Sequence, residues 1–323
     1  MISQQELNEK IRKFIQKDAT TLKSLADFHF EDSMIKLPME TKDGKIFEAT
    51  FCYGYKRKQF LAALSVQIGC PSRCKFCQLG EKGLIRNLTD DELMDQLNLV
   101  LKTAYKRNYP IFTTPLKLTY VMGGEPLANN YIVKTLRRVK EDIPLKLKIS
   151  TIFPQSVLAN GTFKEIVEIA KDYPNIFQFQ ISLNSTDEKY RQSLCTIPLA
   201  NFKEIRQAAE CWFKNVPNPR KINLTFTISE ETPLDPDDII DILPPSMFAV
   251  RLRPWVPTKR GERYGLKKIM DSKFKQAKKK FEDAGYCYIP GAAGEVEYDF
   301  KLAPGEILKI YPMIKNGGKQ NDS

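Results

Sequence analysis

The sequence predicts an α/β protein: a parallel sheet curled into a partial (β/α)6 barrel, preceded by a small N-terminal accessory module. Two observations carry this. From Phe60 onward, short apolar strand candidates alternate with helix patterns through six repeats, the order that builds parallel sheets. Before that point the pattern differs, with a polar amphipathic stretch followed by closely spaced short strands.

Taken in order, Leu7, Ile11, Phe14 and Ile15 recur at helical spacing near the N-terminus. Asp43-Gly44 is a hairpin turn signal between Ile35-Lys36-Leu37 and Phe47-Glu48-Ala49-Thr50-Phe51. The barrel strands are expected at Leu61–Ile68, Leu118–Met122, Lys146–Thr151, Phe177–Leu183, Ile222–Ile228 and Ala249–Leu252. Thr89-x-x-Glu92 is a capping box opening a helix whose face carries Leu93, Leu97 and Val100. Phe202, Ile205, Ala209 and Trp212 mark a second helix. Phe274, Ala277, Phe281 and Ala284 mark a third, which Gly285 terminates. A further strand is expected at Tyr286-Cys287-Tyr288-Ile289. The implied division is an accessory module at 1–56, a core barrel at 57–300 and a C-terminal extension at 301–323 with a disordered end.

Apolar content of 42% and charge of 28% suit an ordinary globular protein. No apolar run approaches the roughly 18 residues of a membrane span, and the N-terminal residues lack the basic-then-apolar order of a signal peptide. The net charge of +11 fits either a polyanionic partner or a generally basic surface. A basic run, Lys259, Arg260, Arg263, Lys267, Lys268, Lys273, Lys275, Lys278, Lys279 and Lys280, suits phosphate neutralisation. It equally suits the solvated face of the helix ending at Gly285.

Three of the seven cysteines, Cys70, Cys74 and Cys77, fall in one C-x3-C-x2-C loop. Structural zinc takes four ligands, but no second Cys or His pair follows, and His29 is the only histidine. A disulfide framework suits small secreted chains. Three thiolates on one loop instead match a four-iron, four-sulfur cluster with one iron left open. Unpaired cysteines and an oxygen-sensitive cluster place the expected location in the cytoplasm. In a parallel barrel, chemistry gathers at the strand C-terminal ends. There stand Met122-Gly123-Gly124-Glu125-Pro126, Ser150-Thr151 and Ser182-Leu183-Asn184. Gly124 allows close approach of a ligand to the backbone, and the Glu125 carboxylate suits an ammonium group. Ser150, Ser182 and Asn184 suit ribose hydroxyls or a carboxylate, although strand-end Ser and Asn also cap helices.

The cysteine spacing, with Phe76 before the last cysteine, resembles the signature of the radical S-adenosylmethionine (SAM) superfamily. The resemblance implies that the open iron binds the amino and carboxylate groups of SAM, and that one electron cleaves the C–S bond to give a 5′-deoxyadenosyl radical. Glycines and glutamate at 123–126 resemble its methionine-binding motif. Further segments, Val66–Cys70, Gly83–Thr89, Met122–Asn129, Ile149–Ile152, Ser182–Ser185 and Pro254-Trp255-Val256-Pro257, are similar in order and spacing to the RlmN/Cfr family. That family methylates adenine carbons in RNA. This likeness implies an RNA or nucleotide substrate and an external reductant such as flavodoxin or ferredoxin. It also implies a catalytic role for Glu48, against the plainer reading of an exposed strand glutamate.

The departures are specific. The family's methyl-carrying cysteine near the C-terminus has no counterpart between Gly294 and Leu302, and its resolving cysteine, seven residues before the cluster, is Ala63. A family asparagine is Val256. Cys195 and Cys211 lie on helix patterns as apolar residues, which leaves Cys287 as the stand-in to consider. A methyl side chain cannot carry out thiol chemistry. The expectation is therefore a radical SAM enzyme acting on RNA or a nucleotide without the two-cysteine route. The alternatives are an enzyme of a small metabolite or peptide, and an RNA methyltransferase with a stand-in cysteine.

Overall fold

The computed structural model describes residues 3–30, 34–54, 59–173, 177–290, 303–309 and 311 of the chain. Helix α1 (Gln4–Gln16) is opened by a Ser3/Glu6 capping box and buries Ile11, Phe14 and Ile15. Strands β1 (Leu22–Ser24) and β2 (Phe28–Phe30) both pair with one edge of β3 (Met34–Thr41). The Asp43-Gly44 turn then leads into β4 (Ile46–Gly54), antiparallel to β3 as expected. Strand β4 pairs in turn with β5 (Gln59–Leu64), so the N-terminal strands extend the barrel sheet itself. The expected boundary at 56–57 lies outside the described residues, as do 301–302, 310 and 312–323 of the expected C-terminal extension.

The expected strand Leu61–Ile68 is two strands. β5 stays in the main sheet, whereas β6 (Gln67–Gly69) leaves it and pairs antiparallel with β7 (Leu84–Asn87). The break falls at Ser65 and Val66. Ser65 N–H donates to the Gln96 amide oxygen (2.8 Å), its hydroxyl donates to the Glu48 carbonyl (2.5 Å), and Val66 N–H donates to Gly123 O (2.7 Å). With those donors turned elsewhere, the parallel ladder cannot continue.

Beyond β7 come α2 (Asp90–Lys106), β8 (Leu116–Tyr120), α3 (Tyr131–Asp142), β9 (Lys146–Thr151), α4 (Val157–Lys171) and β10 (Phe177–Ser182). The chain continues through α5 (Glu188–Ser193), α6 (Phe202–Asn215), β11 (Ile222–Ile228), β12 (Phe248–Pro254), α7 (Lys259–Arg263), α8 (Asp271–Asp283) and β13 (Cys287–Tyr288). Strands β5, β8, β9, β10, β11 and β12 are parallel neighbours in that order, with two-residue β13 added at the end. These are the six strands of the expected partial barrel. The Thr89/Glu92 capping box starts α2, and Gly285, at φ +83°, follows the end of α8.

One feature of the strands departs from their description as apolar. Parallel strands covered on both faces read as continuous apolar runs. Here the outer positions, Leu147 and Ile149, Phe177, Phe179 and Ile181, Leu224 and Phe226, and Val250 and Leu252, belong to the apolar core under the helices. The positions between them are Lys148 and Ser150, Gln178 and Gln180, Asn223 and Thr225, and Arg251 and Arg253. The barrel is thus apolar outside and polar within.

Gly69 sits at φ +74°, and a Cβ there would lie 1.8 Å from the Gly83 carbonyl oxygen. Only glycine lets the β6–β7 pair close at this point. We expect Gly69→Ala to destabilise the protein by about 1–3 kcal/mol through positive φ and overpacking, read as a lowered denaturation midpoint with an unchanged slope.

Candidate active site

The loop after β6 carries Cys70, Cys74 and Cys77, and all three line one cavity at the C-terminal ends of the barrel strands. The loop has little regular structure, so its carbonyls need partners from elsewhere. They come from the segment after β12. Trp255 Nε1–H donates to Phe76 O (3.0 Å) and the Thr258 hydroxyl to the same oxygen (3.4 Å). Arg260 donates through Nε to Cys74 O (3.2 Å) and through Nη2 to Arg73 O (2.9 Å). From the other side, Lys75 N–H donates to Leu194 O (2.8 Å) and Thr196 N–H to Ser72 O (3.0 Å). Gly80 closes the turn, and a Cβ there would stand 3.0 Å from the Cys74 carbonyl.

Burial raises the Cys70 thiol to about 12 and also pushes up Cys77. Cys74 is raised by its contact with Cys195, whose Sγ lies 3.2 Å away, and then by burial. A cluster binding here would displace these protons, as thiolate ligation requires. Among the described residues no three Cys, His, Asp or Glu side chains converge about a single ion. A four-iron cubane presents its irons at separate corners, so its thiolates stand further apart than those around one zinc. Three cavity-lining thiols on a loop cradled by glycine fit a cluster held by three thiolates.

Gly124, Glu125, Ser150, Ser182 and Asn184 line this same cavity. Gly124, at φ +98°, lies against Gln67, where a Cβ would come within 2.6 Å of the Gln67 side chain. Glu125 is buried and accepts from Leu127 N–H (3.0 Å), Ile152 N–H (2.9 Å) and the Thr151 hydroxyl. Desolvation outweighs these donors and raises its carboxyl to about 7. Asn184, at φ +63°, accepts from Thr227 N–H (3.1 Å), and Ser150 accepts from Gln180 Nε2–H (2.8 Å). None of the three strand-end residues is a helix cap; Asp187 caps α5 and Ser156 caps α4.

Other positions fall differently. Glu48 is buried rather than exposed and is not among the cavity-lining residues. Burial raises its carboxyl, which accepts from Gly305 N–H (2.6 Å) with Lys36 Nζ 3.7 Å away. Cys195 lies beyond the end of α5, half-buried against Cys74, and is not a helix core residue. Cys287 is exposed, and its β-partner is Ala249, near the start of β12. At about 3.3 Å per residue, that lies about 16 Å along the strand from Pro254 at the cavity end. It stands at the wrong end of the barrel to serve the cavity. Cys52, which no sequence motif singled out, lines the cavity from β4, and Ala63 lines it from β5.

The basic run is not a single unopposed surface. Arg260 is buried on the cluster loop, and Arg263 pairs with Glu81. Lys273, Lys278, Lys279 and Lys280 pair with Glu230, Glu282, Asp283 and Asp235. Glu282 and Asp283 are i,i+4 partners within α8, whereas Glu81, Glu230 and Asp235 come from other parts of the chain, which sequence spacing did not reveal.

The family model described as the radical SAM superfamily matches residues 64–243. Among curated relatives, the probable dual-specificity RNA methyltransferase RlmN of Dictyoglomus turgidum is 27% identical over 225 residues, 68% of this chain and 61% of that protein. The dual-specificity RNA methyltransferase RlmN of an Anaeromyxobacter species is 28% identical over 251 residues, 74% of this chain and 60% of that protein. The Prochlorococcus marinus strain NATL1A relative of the same name is 31% identical over 53% of this chain and 45% of its own length. The chain therefore spans less than two thirds of the relatives it matches. In fold it is similar to a radical SAM methyltransferase from Sphaerobacter thermophilus, with a TM-score of 0.73 and 20% identity over 89% of this chain and 81% of that one.

We expect Cys70→Ser, Cys74→Ser and Cys77→Ser each to abolish the iron–sulfur absorbance of anaerobically reconstituted protein, and Cys195→Ser to retain it. Iron and sulfide analysis checks both. For Glu125, the folded state binds the proton more tightly than the unfolded chain, whose carboxyl has a pKa near 4.5. The stability this contributes is complete below about pH 4.5 and is lost as pH rises through about 7. Relative to Glu125→Gln, the wild type should therefore lose thermal stability across that window, measured as Tm against pH without SAM.

Proposed function

The chain belongs to the radical SAM superfamily of cluster-dependent enzymes, and from that premise we propose that it acts on RNA or a nucleotide without the two-cysteine methyl-transfer route. The observation that supports this most is the shared cavity: three cluster thiols, the buried Glu125 and the strand-end Ser150, Ser182 and Asn184 all face one space. When bound there, the cluster and SAM supply one-electron cleavage of the sulfonium C–S bond. The protein's own residues do the holding. Cys70, Cys74 and Cys77 carry the cluster, while Arg260 and Trp255 fix the backbone of its loop. Glu125 is set to receive the SAM ammonium, which would favour its ionised form over the protonated one that burial promotes. Gly124 leaves room beside it, and Ser150, Ser182 and Asn184 offer hydroxyl and amide contacts. We assign Glu48 a positioning role, through the Gly305 amide, rather than contact with substrate.

The reading against two-cysteine methylation rests on Ala63 and Cys287. Ala63 presents only a methyl group to the cavity, and Cys287 stands at the opposite end of β12. The segment 294–302, where a carrier cysteine would be sought, contains none in sequence and lies outside the described residues. A cytoplasmic location and an external reductant such as flavodoxin or ferredoxin follow from the proposed chemistry. Among the described residues no helix is long and apolar enough to cross a membrane.

A second reading has one observation in its favour. Cys52 lines the cavity, opposite Leu61 on β5, one inward-facing pair along from Thr50 and Ala63. A thiol there leaves room for methyl transfer through a stand-in cysteine. One experiment separates the two. Reduced, cluster-loaded protein is incubated with methyl-labelled SAM and bulk RNA, followed by nucleoside analysis and peptide mapping. We expect 5′-deoxyadenosine with no label on any cysteine and no methyladenosine. Label on Cys52, or methylated adenosine, establishes the second reading instead, and absence of 5′-deoxyadenosine removes the first.

A further inference from the structure

The contact between Cys74 and Cys195 offers a chemistry that cluster ligation by itself does not use. Cys70, Cys74 and Cys77 line the cavity, whereas Cys195 is not among its lining residues. It meets Cys74 from outside that space, with the two Sγ atoms 3.2 Å apart. The chain around Cys195 is fastened to the cysteine loop on both sides of this contact. Leu194 O, one residue before, accepts from Lys75 N–H (2.8 Å). One residue after, Thr196 N–H donates to Ser72 O (3.0 Å), and the Thr196 hydroxyl reaches the same oxygen (3.3 Å). Backbone bonds therefore bracket the pair of sulfurs and hold them together, so their meeting does not depend on side-chain rotamers alone.

The surroundings of the pair are apolar. Cys74 forms a small buried cluster with Ile152 and Leu199, against which Phe76, Cys77, Cys195 and Ile197 pack. A hydrogen bond in such surroundings is electrostatically stronger than the same bond in water. Between two free thiols, either sulfur can be the donor. A thiolate that ligates iron has no proton to give, so at a loaded site Cys74 can only accept and Cys195 must donate. Hydrogen bonds to the ligating sulfurs are one of the features that set the reduction potential of an iron–sulfur cluster. The physical reason is charge: reduction adds an electron, and a proton aimed at a ligand sulfur stabilises the more negative state.

We propose that Cys195 is a positioning residue of the cluster site, its thiol donating a hydrogen bond to Cys74 Sγ and so making the cluster easier to reduce. The inference rests on reading the cysteine loop as the radical SAM cluster site, and it concerns how readily that site accepts its electron. No covalent bond is made or broken in this step. One electron enters the cluster from the external reductant, and the Cys195 proton stays on its own sulfur. Two substitutions separate the hydrogen bond from simple packing. Serine at 195 keeps a donor, whereas valine keeps a side chain of similar size and loses it.

The test is a reductive titration of the full, cluster-loaded chain without SAM, followed by visible absorbance and electron paramagnetic resonance. Wild type, Cys195→Val and Cys195→Ser are compared. We expect Cys195→Val to hold as much iron and sulfide as the wild type and to be about threefold to tenfold harder to reduce. At about 59 mV per tenfold for one electron, that is a shift of about 30–60 mV to lower potential. Cys195→Ser should stay within about twofold of the wild type, because an O–H takes the place of the S–H. Cys195→Ala provides a second donor-free variant should the valine chain fail to fold. An unchanged potential in the donor-free variant would leave the contact as packing and overturn the proposal. Equal lowering in the serine variant overturns it too, as does loss of iron from every variant, which would make Cys195 a cluster ligand. Iron content and 5′-deoxyadenosine formation by the wild type report separately on the underlying reading. A wild type without a four-iron cluster overturns both, whereas a loaded wild type with insensitive potentials overturns this inference alone.

Discussion

The structure turns on how a cysteine loop with almost no regular secondary structure is held in place. Its carbonyls at Arg73, Cys74 and Phe76 find donors nearly two hundred residues away, in Trp255, Thr258 and Arg260. Those bonds tie the loop after the first barrel strand to the segment after the last. They hold Cys70, Cys74 and Cys77 over the strand ends and bring the two ends of the six-stranded series to one cavity. Gly261 is part of the same arrangement: a Cβ there would lie 2.2 Å from the Trp255 ring. A substitution in the 255–261 segment therefore acts on the cysteine loop's backbone rather than on its thiols.

Around that clamp the barrel divides its labour by strand alternation. Outward side chains pack beneath α2, α3, α4, α6 and α8, and these apolar contacts hold the sheet's shape. Inward side chains are released from packing and are available for ligand chemistry. The same two-residue period that buries Phe179 and Leu224 turns Gln180 and Thr225 toward the cavity. A cationic, hydrogen-bonding interior is thus compatible with a stable fold because it occupies only the face that the helices do not use.

Thiol placement differs from the family's pattern on a scaffold whose other motifs are kept. The cluster loop and the Gly-Gly-Glu-Pro turn keep their pattern, while Ala63 and Val256 replace groups that the RlmN/Cfr resemblance leads one to expect. Cys52 and Cys195 are thiols that sequence order kept apart from the cluster motif, yet one lines the cavity and the other touches Cys74. Their contribution depends on strand pairing and loop contact, neither of which has a signature in residue spacing.

Local rules in the sequence were enough to determine the series of parallel strands, the capped helix at Thr89, the helix marked by Phe202 and Trp212, the Gly285 stop and the gathering of three cysteines on one loop. Each of these depends on neighbours within a few residues, whether by helical period, cap or loop spacing. Strict alternation in Leu147–Ser150, Phe177–Ser182 and Val250–Arg253 was also present, and it is the signal from which the polar barrel interior could have been read. Tertiary structure alone decided that the first strand breaks at Ser65, because its hydrogen-bond partners come from Gln96 and Gly123. It alone took Arg260 out of the basic surface and buried it on the cluster loop. It alone placed Cys287 far from the cavity and Cys52 within it. Those outcomes are set by which distant backbone groups need a partner and which strands pair, and a linear pattern carries neither.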